Sequence, residues 1–227
     1  MSLGFRINRR RRKVSATSIA AYAGLPAANI SDVMARMSAS GPRIRPMHGG
    51  GVMAGPAFTV KTRPGDNLMV HKAIDIADPG DVIVVDAGGD LTTAIIGEIM
   101  ATHAELRGIA GIVINGAIRD STTLAAGKFP VYAAGITHRG PYKDGPGEIN
   151  VPVAIDGMVI EPGDLVYGDA DGLICVPFDQ VDAICRDAKA KQASEEKTLA
   201  GMRTGKPQDR SWVDATLKRL GCEIEPE

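Results

Sequence analysis

The sequence predicts an α/β protein, a layered β/β/α sandwich with helical arms at its N- and C-terminal ends. Two continuous apolar runs, Val82-Ile83-Val84-Val85 and Ile112-Val113-Ile114, read as strands buried on both faces. The helical pattern between them makes a crossover, which favours a parallel βαβ unit. The second half breaks into short β-capable runs divided by Gly, Pro and Asp, and from Pro177 the pattern is helical.

Taken in order, residues 1–14 form a basic arm carrying Arg6 and the run Arg9, Arg10, Arg11, Arg12, Lys13, with no acidic residue before Asp32. This reads as a solvated arm or first helix, with a targeting segment or an acidic partner as the alternatives. Ser15–Ala23 is a helix that Gly24-Leu25-Pro26 interrupts. A second helix starts near Asn29 or Ser31 and runs through Val33, Met34 and Met37. A turn at His48–Gly51 precedes a strand at Ala57–Lys61. Pro64-Gly65-Asp66 is another turn, with Asp66 capping a helix whose apolar positions are Leu68, Ala73, Ile76 and Ala77. Beyond the strand at residues 82–85 come Gly88-Gly89, a helix over Glu98–Leu106, and the strand at residues 112–114. Short strands follow at Pro130–Ala134, Val151–Ile155, Val159-Ile160, Leu165–Gly168 and Leu173–Val176. Gly135–Asn150 reads as a polar loop with His138, Arg139, Tyr142, Lys143 and Glu148. A helix from Pro177 to about Thr204 leads through a linker to a last one, Trp212–Leu220. The domain plan is therefore an arm (1–14), a central domain (15–205) and a helical tail (206–227).

Composition excludes several classes. The chain has 227 residues, 44% hydrophobic and 23% charged, a globular and not a disordered balance. A net charge of −1 supplies no global field for polyanions, and 4% aromatics leaves little for base stacking, so nucleic acid is not expected as a partner. No run approaches the roughly 18 apolar residues of a membrane helix. Three cysteines without C-x-x-C spacing fit a reduced, cytoplasmic protein.

The chemistry concentrates in Gly88-Gly89-Asp90, Gly97-Glu98 and Arg119-Asp120. Gly97 follows the β-capable Ala94-Ile95-Ile96 and precedes a helical pattern. A helix starting there leaves the amides of Glu98, Ile99 and Met100 without intrahelical partners, a cradle for carboxylate or phosphate. Glycine before a helix is, on its own, an ordinary feature. Arg119-Asp120 follows the strand at residues 112–114 through Asn115–Ile118, at the carboxyl end where open α/β sheets bind ligands. Arg grips a carboxylate with two parallel hydrogen bonds. Asp is a hard oxygen ligand for Mg²⁺ or Mn²⁺. The dipeptide alone reads more simply as a surface ion pair opening a helix.

The spacing changes that balance. Gly97-Glu98, twenty residues, then Arg119-Asp120 resembles the signature of the RraA-like family. That family contains the metal-dependent 4-hydroxy-4-methyl-2-oxoglutarate aldolases and the regulator of ribonuclease activity A, and some members carry a demethylmenaquinone methyltransferase-like label. Pro64-Gly65-Asp66-Asn67, Pro79-Gly80-Asp81-Val82, Val84-Val85-Asp86, Gly108–Gly111, Asn115-Gly116, Val151-Pro152-Val153, Pro162-Gly163-Asp164 and Gly168–Gly172 are similar to its other landmarks, so the resemblance covers about residues 15–205. It implies a swivelling β/β/α sandwich assembled as a homotrimer or homohexamer with sites between subunits. It also implies that Arg119 binds the 2-oxo acid, that Asp120 is the direct ligand of Mg²⁺ or Mn²⁺, and that Glu98 acts through metal-bound water. The amides of Gly97, Glu98, Ile99 and Met100 would hold the substrate carboxylate. An acidic residue of a neighbour's C-terminal helix, Glu195 or Glu196 here, would orient a water.

The implied activity is cleavage of 4-hydroxy-2-oxo acids, such as 4-hydroxy-4-methyl-2-oxoglutarate or 4-carboxy-4-hydroxy-2-oxoadipate, to pyruvate, with oxaloacetate decarboxylation at the same site. The alternative is a non-catalytic regulator that binds a ribonuclease. Regulators tend to carry an acidic residue three positions after the Asp, where this sequence has Thr123, which argues against that role. A Schiff base on Lys72, Lys128 or Lys143 is the competing chemistry, but none lies in the signature. His71 reads as a capping or packing residue, His103 as surface or interface, and Asp86, Asp169 and Asp171 as turn-formers. His138 belongs to a loop that either closes over substrate or is simply solvated. Neither the basic run nor the tail after Lys206 has a family counterpart.

Overall fold

The computed structural model describes residues 3–223 and 225. From the N-terminus the elements are β1 (Phe5–Ile7), α1 (Ala16–Ala20), α2 (Ala27–Val33), β2 (Arg45–Pro46), β3 (Met53–Thr62), α3 (Leu68–Ile76), β4 (Val82–Asp86), β5 (Ala94–Ile96), α4 (Glu98–Leu106), β6 (Gly111–Ile118), α5 (Ser121–Ala126) and β7 (Val131–Ile136). There follow β8 (Gly147–Ile149), β9 (Val153–Ile155), β10 (Met158–Ile160), β11 (Leu165–Gly168), β12 (Leu173–Val176), a 3₁₀ turn at Phe178–Gln180, α6 (Val181–Arg203) and α7 (Ser211–Arg219).

The parallel strands β3, β4, β6 and β7 form the centre of a large mixed sheet, with Val84 opposite both Thr59 and Val113. Successive side chains of β4 point to opposite faces. Ile83 and Val85 join Val70, Ile74 and Met100 of α3 and α4 in one core, while Val82 and Val84 join Ile155, Met158 and Ile160 of the β9–β10 ribbon in another. Helices on one face and short strands on the other make the β/β/α layering. Besides β4, the long β3 pairs with β11 along its first residues and with β8 along its last. β5 adds to the far end of β6 and so carries Gly97 to the carboxyl edge of the sheet.

Three turns share the sequence Pro-Gly-Asp and one geometry. Asp66, Asp81 and Asp164 each donate their backbone amide to the carbonyl three residues back, at 3.1 Å. Gly65, Gly80 and Gly163 take φ of +76°, +87° and +95°, as the third position of such a turn requires. All three Asp side chains are buried.

Residues 5–14, expected as a solvated arm, are instead fastened to the sheet. β1 pairs in parallel with β8, and along this extended stretch alternate residues turn inward. Arg6 meets Glu148 at 2.7 Å, Arg10 meets Asp81 at 2.8 Å, and Arg12 meets Glu161 at 2.7 Å and Asp164 at 3.6 Å. Arg10 and Arg12 also stack over Phe58 and Phe178. Arg9 and Arg11, the intervening residues, are exposed. The run looked solvated because its carboxylates come from segments more than 60 residues away.

Other differences are local. α2 begins at Ala27, ahead of the expected Asn29, because the carboxylate of Asp169 accepts from the Ala27 amide at 2.9 Å. It ends at Val33, before the left-handed Ala35 and Arg36. The supposed loop 135–150 contains β8, whose Gly-Glu-Ile sequence has no β signal of its own. The chain divides into two compact units, the first ending at Lys189 and the second beginning at Ala190. The cause lies in α6: its buried residues, Val181, Ile184, Cys185 and Ala188, all precede Lys189. The second unit holds the rest of α6 and α7. Among the described residues no helix is long and apolar enough to cross a membrane, and the cysteines are free, Cys175 and Cys185 buried and Cys222 exposed.

Arg10 and Asp81 are almost wholly buried, with side chains 8% and 1% exposed. Arg10→Ala would leave Asp81 buried without its cation and should cost about 3–5 kcal/mol in urea unfolding. Arg9→Ala and Arg11→Ala should stay within about 0.5 kcal/mol of the parent.

Candidate functional site

Gly97 is the whole connection between β5 and α4. Its backbone is extended (φ −147°, ψ −163°), so glycine is not required by torsion. The requirement is space. A Cβ on Gly97 would collide with Oδ2 of Asp120 and lie 2.8 Å from Cγ of Arg119. Those two residues arrive alongside because β6 runs beside β5, with the Arg119 amide donating to the Ile96 carbonyl at 3.0 Å.

Asp120 occupies the N-cap position of α5 with a left-handed backbone (φ 56°, ψ 36°), which Asp tolerates better than most residues. An Asp there ordinarily accepts from the second or third amide of its own helix. Asp120 does not cap α5. Its Oδ2 instead accepts from the amide of Glu98, the first residue of α4, at 2.9 Å, and lies 3.7 Å from Nε of Arg119. The Arg–Asp pair is therefore more than a surface ion pair opening a helix, because its carboxylate joins two strand-to-helix connections. Of the three amides expected to be free, that of Glu98 is thus engaged by Asp120. Those of Ile99 and Met100 have no intrahelical partner.

A pocket of about 250 Å³ opens on one side of this junction, lined among others by Asn67, His71, Gly97, Met100, Arg119 and Lys143. A shallower groove of about 460 Å³ lies on the other, lined by Glu98, Arg119, Asp120, Thr123, Thr137 and His138 among others. Arg119 borders both, and with Asp120 it keeps about two-fifths of its side chain exposed (41% and 38%), open to a solute. Met100 is buried and takes a hydrogen bond from Asn67 on its sulfur, while Ile99 points to solvent.

Sequence reasoning did not place Asn67, His71 or Lys143 together in this pocket. Asn67 and His71 are four apart, so at helical spacing they share a face of α3, and His71 lines the pocket where packing or capping was expected. Lys143 was read as part of a polar loop and as one candidate for a Schiff base, not as a wall of this pocket; that loop supplies Gly140, Pro141 and Lys143 to the pocket and His138 to the groove. His103 is exposed, as expected. Asp86 accepts from the Gly88 amide and from Asn115, and Asp169 from the Asp171 amide, both turn roles. Glu195 and Glu196 lie on α6 in the second unit, Glu195 paired with Lys191 at 2.9 Å.

Among the described residues no three His, Cys, Asp or Glu side chains converge. Zn²⁺, which takes three or four nitrogen or sulfur ligands, does not fit this set. One Asp120 carboxylate, with the Glu98 side chain in the same groove, fits Mg²⁺ or Mn²⁺, which keep several waters and use few protein ligands.

The RraA-like family model, described as Aldolase/RraA, matches residues 27–175. A protein of Halalkalibacterium halodurans provisionally named as a 4-hydroxy-4-methyl-2-oxoglutarate aldolase is 43% identical over 178 residues, 78% of this chain and 85% of the relative. A protein of Burkholderia mallei with the same provisional name is 42% identical over 133 residues, 59% of this chain and 80% of the relative. Among solved structures, an uncharacterised protein from Pseudomonas syringae pv. tomato superposes with a TM-score of 0.78 at 27% identity, covering 87% of this chain and 93% of that one. The RNA-processing inhibitor RraA from Thermus thermophilis superposes with a TM-score of 0.62 at 32% identity, covering 67% and 92%.

Burial lowers the pKa of His71 below the usual 6.5, and the Lys143 ammonium lowers it further. The folded protein therefore holds this ring neutral at pH values where the unfolded chain protonates it. Stability from this source is present above the unfolded pKa and is lost as pH falls through the folded one. Lys143→Met should raise the His71 midpoint in an NMR titration without restoring it fully, because burial is the larger cause. An unmoved midpoint would mean that the two groups do not share the pocket.

Proposed function

The chain belongs to the RraA-like Aldolase/RraA family, and from that premise we propose that it is a divalent-metal-dependent lyase of the cytoplasm. Its substrates are 4-hydroxy-2-oxo acids such as 4-hydroxy-4-methyl-2-oxoglutarate or 4-carboxy-4-hydroxy-2-oxoadipate, cleaved to pyruvate, and oxaloacetate, which it decarboxylates. The observation that carries this reading is the junction at Gly97. An arginine and a carboxylate suited to a hard cation stand side by side, both reachable, at the carboxyl end of a parallel sheet.

Asp120 would hold Mg²⁺ or Mn²⁺, and a divalent cation there supplies Lewis acidity to the 2-oxo group. Arg119 binds the 2-oxo acid by two parallel hydrogen bonds and faces the oxygen on which charge grows. In oxaloacetate the bond from C3 to the distal carboxylate breaks. Carbon dioxide leaves, the electron pair moves into the 2-oxo group as an enolate, and water protonates C3 to give pyruvate. In a 4-hydroxy-2-oxo acid the C3–C4 bond breaks and the C4 hydroxyl becomes a carbonyl, so its proton needs an acceptor. Glu98, exposed in the groove beside Asp120, would take that proton through water. The amides of Ile99 and Met100 and the Lys143 ammonium border the pocket that receives the acid's anionic end. In a homotrimer or homohexamer, Glu195 or Glu196 of a neighbouring subunit would orient water at the site.

Pyruvate release from oxaloacetate and from 4-hydroxy-4-methyl-2-oxoglutarate tests the reading. Turnover is expected with Mg²⁺, is lost on chelation and returns when Mg²⁺ is restored. Arg119→Lys, which cannot form the paired hydrogen bonds, should lower kcat/KM on the order of 10²-fold. No metal-dependent turnover on either acid would overturn the proposal and leave a protein-binding regulator. Activity that survives chelation and is trapped by borohydride would move the chemistry to a lysine.

Gly97→Ala is the sharper geometric probe. Its methyl group displaces Oδ2 of Asp120 and the Arg119 stem. A misplacement near 1 Å should cost about 10²-fold in kcat, with the far-ultraviolet circular dichroism unchanged. Full activity in this variant would show that the Asp120–Glu98 contact is incidental.

A further inference from the structure

The three Pro-Gly-Asp turns are alike except in what their carboxylates hold. Asp81 and Asp164 turn back on their own turns, accepting from the amides of Asp78 at 2.9 Å and Glu161 at 3.0 Å. Each also faces an arginine of the N-terminal strand, and Asp164 accepts as well from the Phe178 amide at 3.0 Å. Asp66 takes no backbone amide of its own turn. Its Oδ2 accepts from the amides of Asp144 and Gly145, both at 2.8 Å, and its Oδ1 from the Leu68 amide at the start of α3, at 2.9 Å. Arg63 adds a contact at 3.2 Å from the solvent side. Asp66 is fully buried, and two backbone bonds flank it, Asn67 amide to Tyr142 carbonyl at 3.0 Å and Tyr142 amide to Gly65 carbonyl at 2.8 Å. The side chains on either side of this seam are Asn67 at the N-cap of α3, His71 of α3 and Lys143 from the loop, and all three line the pocket beside Gly97.

We propose that Asp66 is a positioning residue for this pocket: its carboxylate locks the Tyr142–Gly145 segment to the first turn of α3, so that Lys143, Asn67 and His71 form one fixed wall. It touches no substrate and acts through the backbone on which Lys143 is carried. Without it, four residues of loop would have only two backbone bonds to hold a long, flexible ammonium side chain in register with Arg119. The inference rests on the proposed function for its catalytic consequence, though not for the structural one.

The full-length protein supplies the test. In the parent, hydrogen exchange of the Asp144 and Gly145 amides should be at least about tenfold slower than that of unbonded amides in the same loop. Exchange at the free-loop rate would overturn the proposal without any variant. Asp66→Asn keeps one acceptor and turns an amino group on a donor. It should expose the bonds after Arg139 and Lys143 to trypsin at least about tenfold faster while unfolding remains cooperative. Cleavage at the parent rate would sink the clamp. With oxaloacetate and Mg²⁺, kcat/KM should fall about tenfold, mainly in KM, and Asp66→Asn combined with Lys143→Ala should be no worse than Lys143→Ala alone. Multiplied losses would make Asp66 a general support of the fold. If the parent turns over neither acid, the proposed function falls, and exchange and proteolysis still judge the clamp. If Asp66→Asn does not fold, the exchange of the parent decides.

Discussion

The hydrogen bond from the Glu98 amide to Oδ2 of Asp120 is the contact around which the site is organised. It exists because two adjacent parallel strands, β5 and β6, end together and each passes at once into a helix. Only a residue without a side chain lets the two connections approach so closely, and Gly97 is that residue. The left-handed turn at Asp120 aims its carboxylate across the gap instead of into its own helix. A backbone state that is mildly unfavourable for a non-glycine residue is thus held in place by a bond to another element, a pattern common at functional sites. Arg119 sits at the same seam, since its backbone is tied to Ile96 and its stem lies beside Gly97.

Charge is managed locally in this molecule. With a net charge of −1, no overall field draws anions to it. The basic run near the N-terminus would be the obvious exception, yet Arg6, Arg10 and Arg12 are each satisfied by carboxylates of the sheet and its turns. Those arginines are structural, and burial raises the Asp81 carboxyl group's pKa even with Arg10 beside it. Arg119 and Lys143 both line the small pocket, where burial and the Lys143 charge lower the pKa of His71. A small anion entering the pocket would therefore meet a short-range pair of donors rather than a broad potential, which suits selection by shape and number of carboxylates.

Much of this was legible in the sequence, for identifiable reasons. Val82–Val85 and Ile112–Ile114 are buried on both faces, so their continuous apolar runs declared the parallel centre. Leu165–Gly168 and Leu173–Val176 were readable because Gly and Asp bound them. The Gly97-Glu98 and Arg119-Asp120 pairs were visible as residues at a spacing. Their contact was not, because a twenty-residue gap does not show that β5 lies beside β6. The strand β8 and the inward-facing arginines were hidden for a related reason. Their structure is dictated by partners distant in the chain, and neither a Gly-Glu-Ile segment nor a run of arginines carries local information about what it will meet. Asn67, His71 and Lys143 escaped because a pocket wall assembled from a helix and a loop has no period.

The Pro-Gly-Asp turns show how one local motif can be put to different ends. In each, proline and a left-handed glycine fix the backbone, and the turn leaves a buried carboxylate with more acceptor capacity than its own amides use. Burial makes an unfilled acceptor costly, so that capacity draws in whatever donors the neighbouring chain can offer. Where the neighbour is the N-terminal strand, the donor is an arginine and the result is a fastened sheet edge. Where the neighbour is the loop carrying Lys143, the donors are two successive backbone amides, and the loop is tied to the start of the helix beside it. A carboxylate bonded to one backbone amide, that of Asp120 to Glu98, also joins the two connections at Gly97. Loops of this kind can carry a site on a mobile-looking segment without giving up position, because each is tied at the residue next to the one that functions.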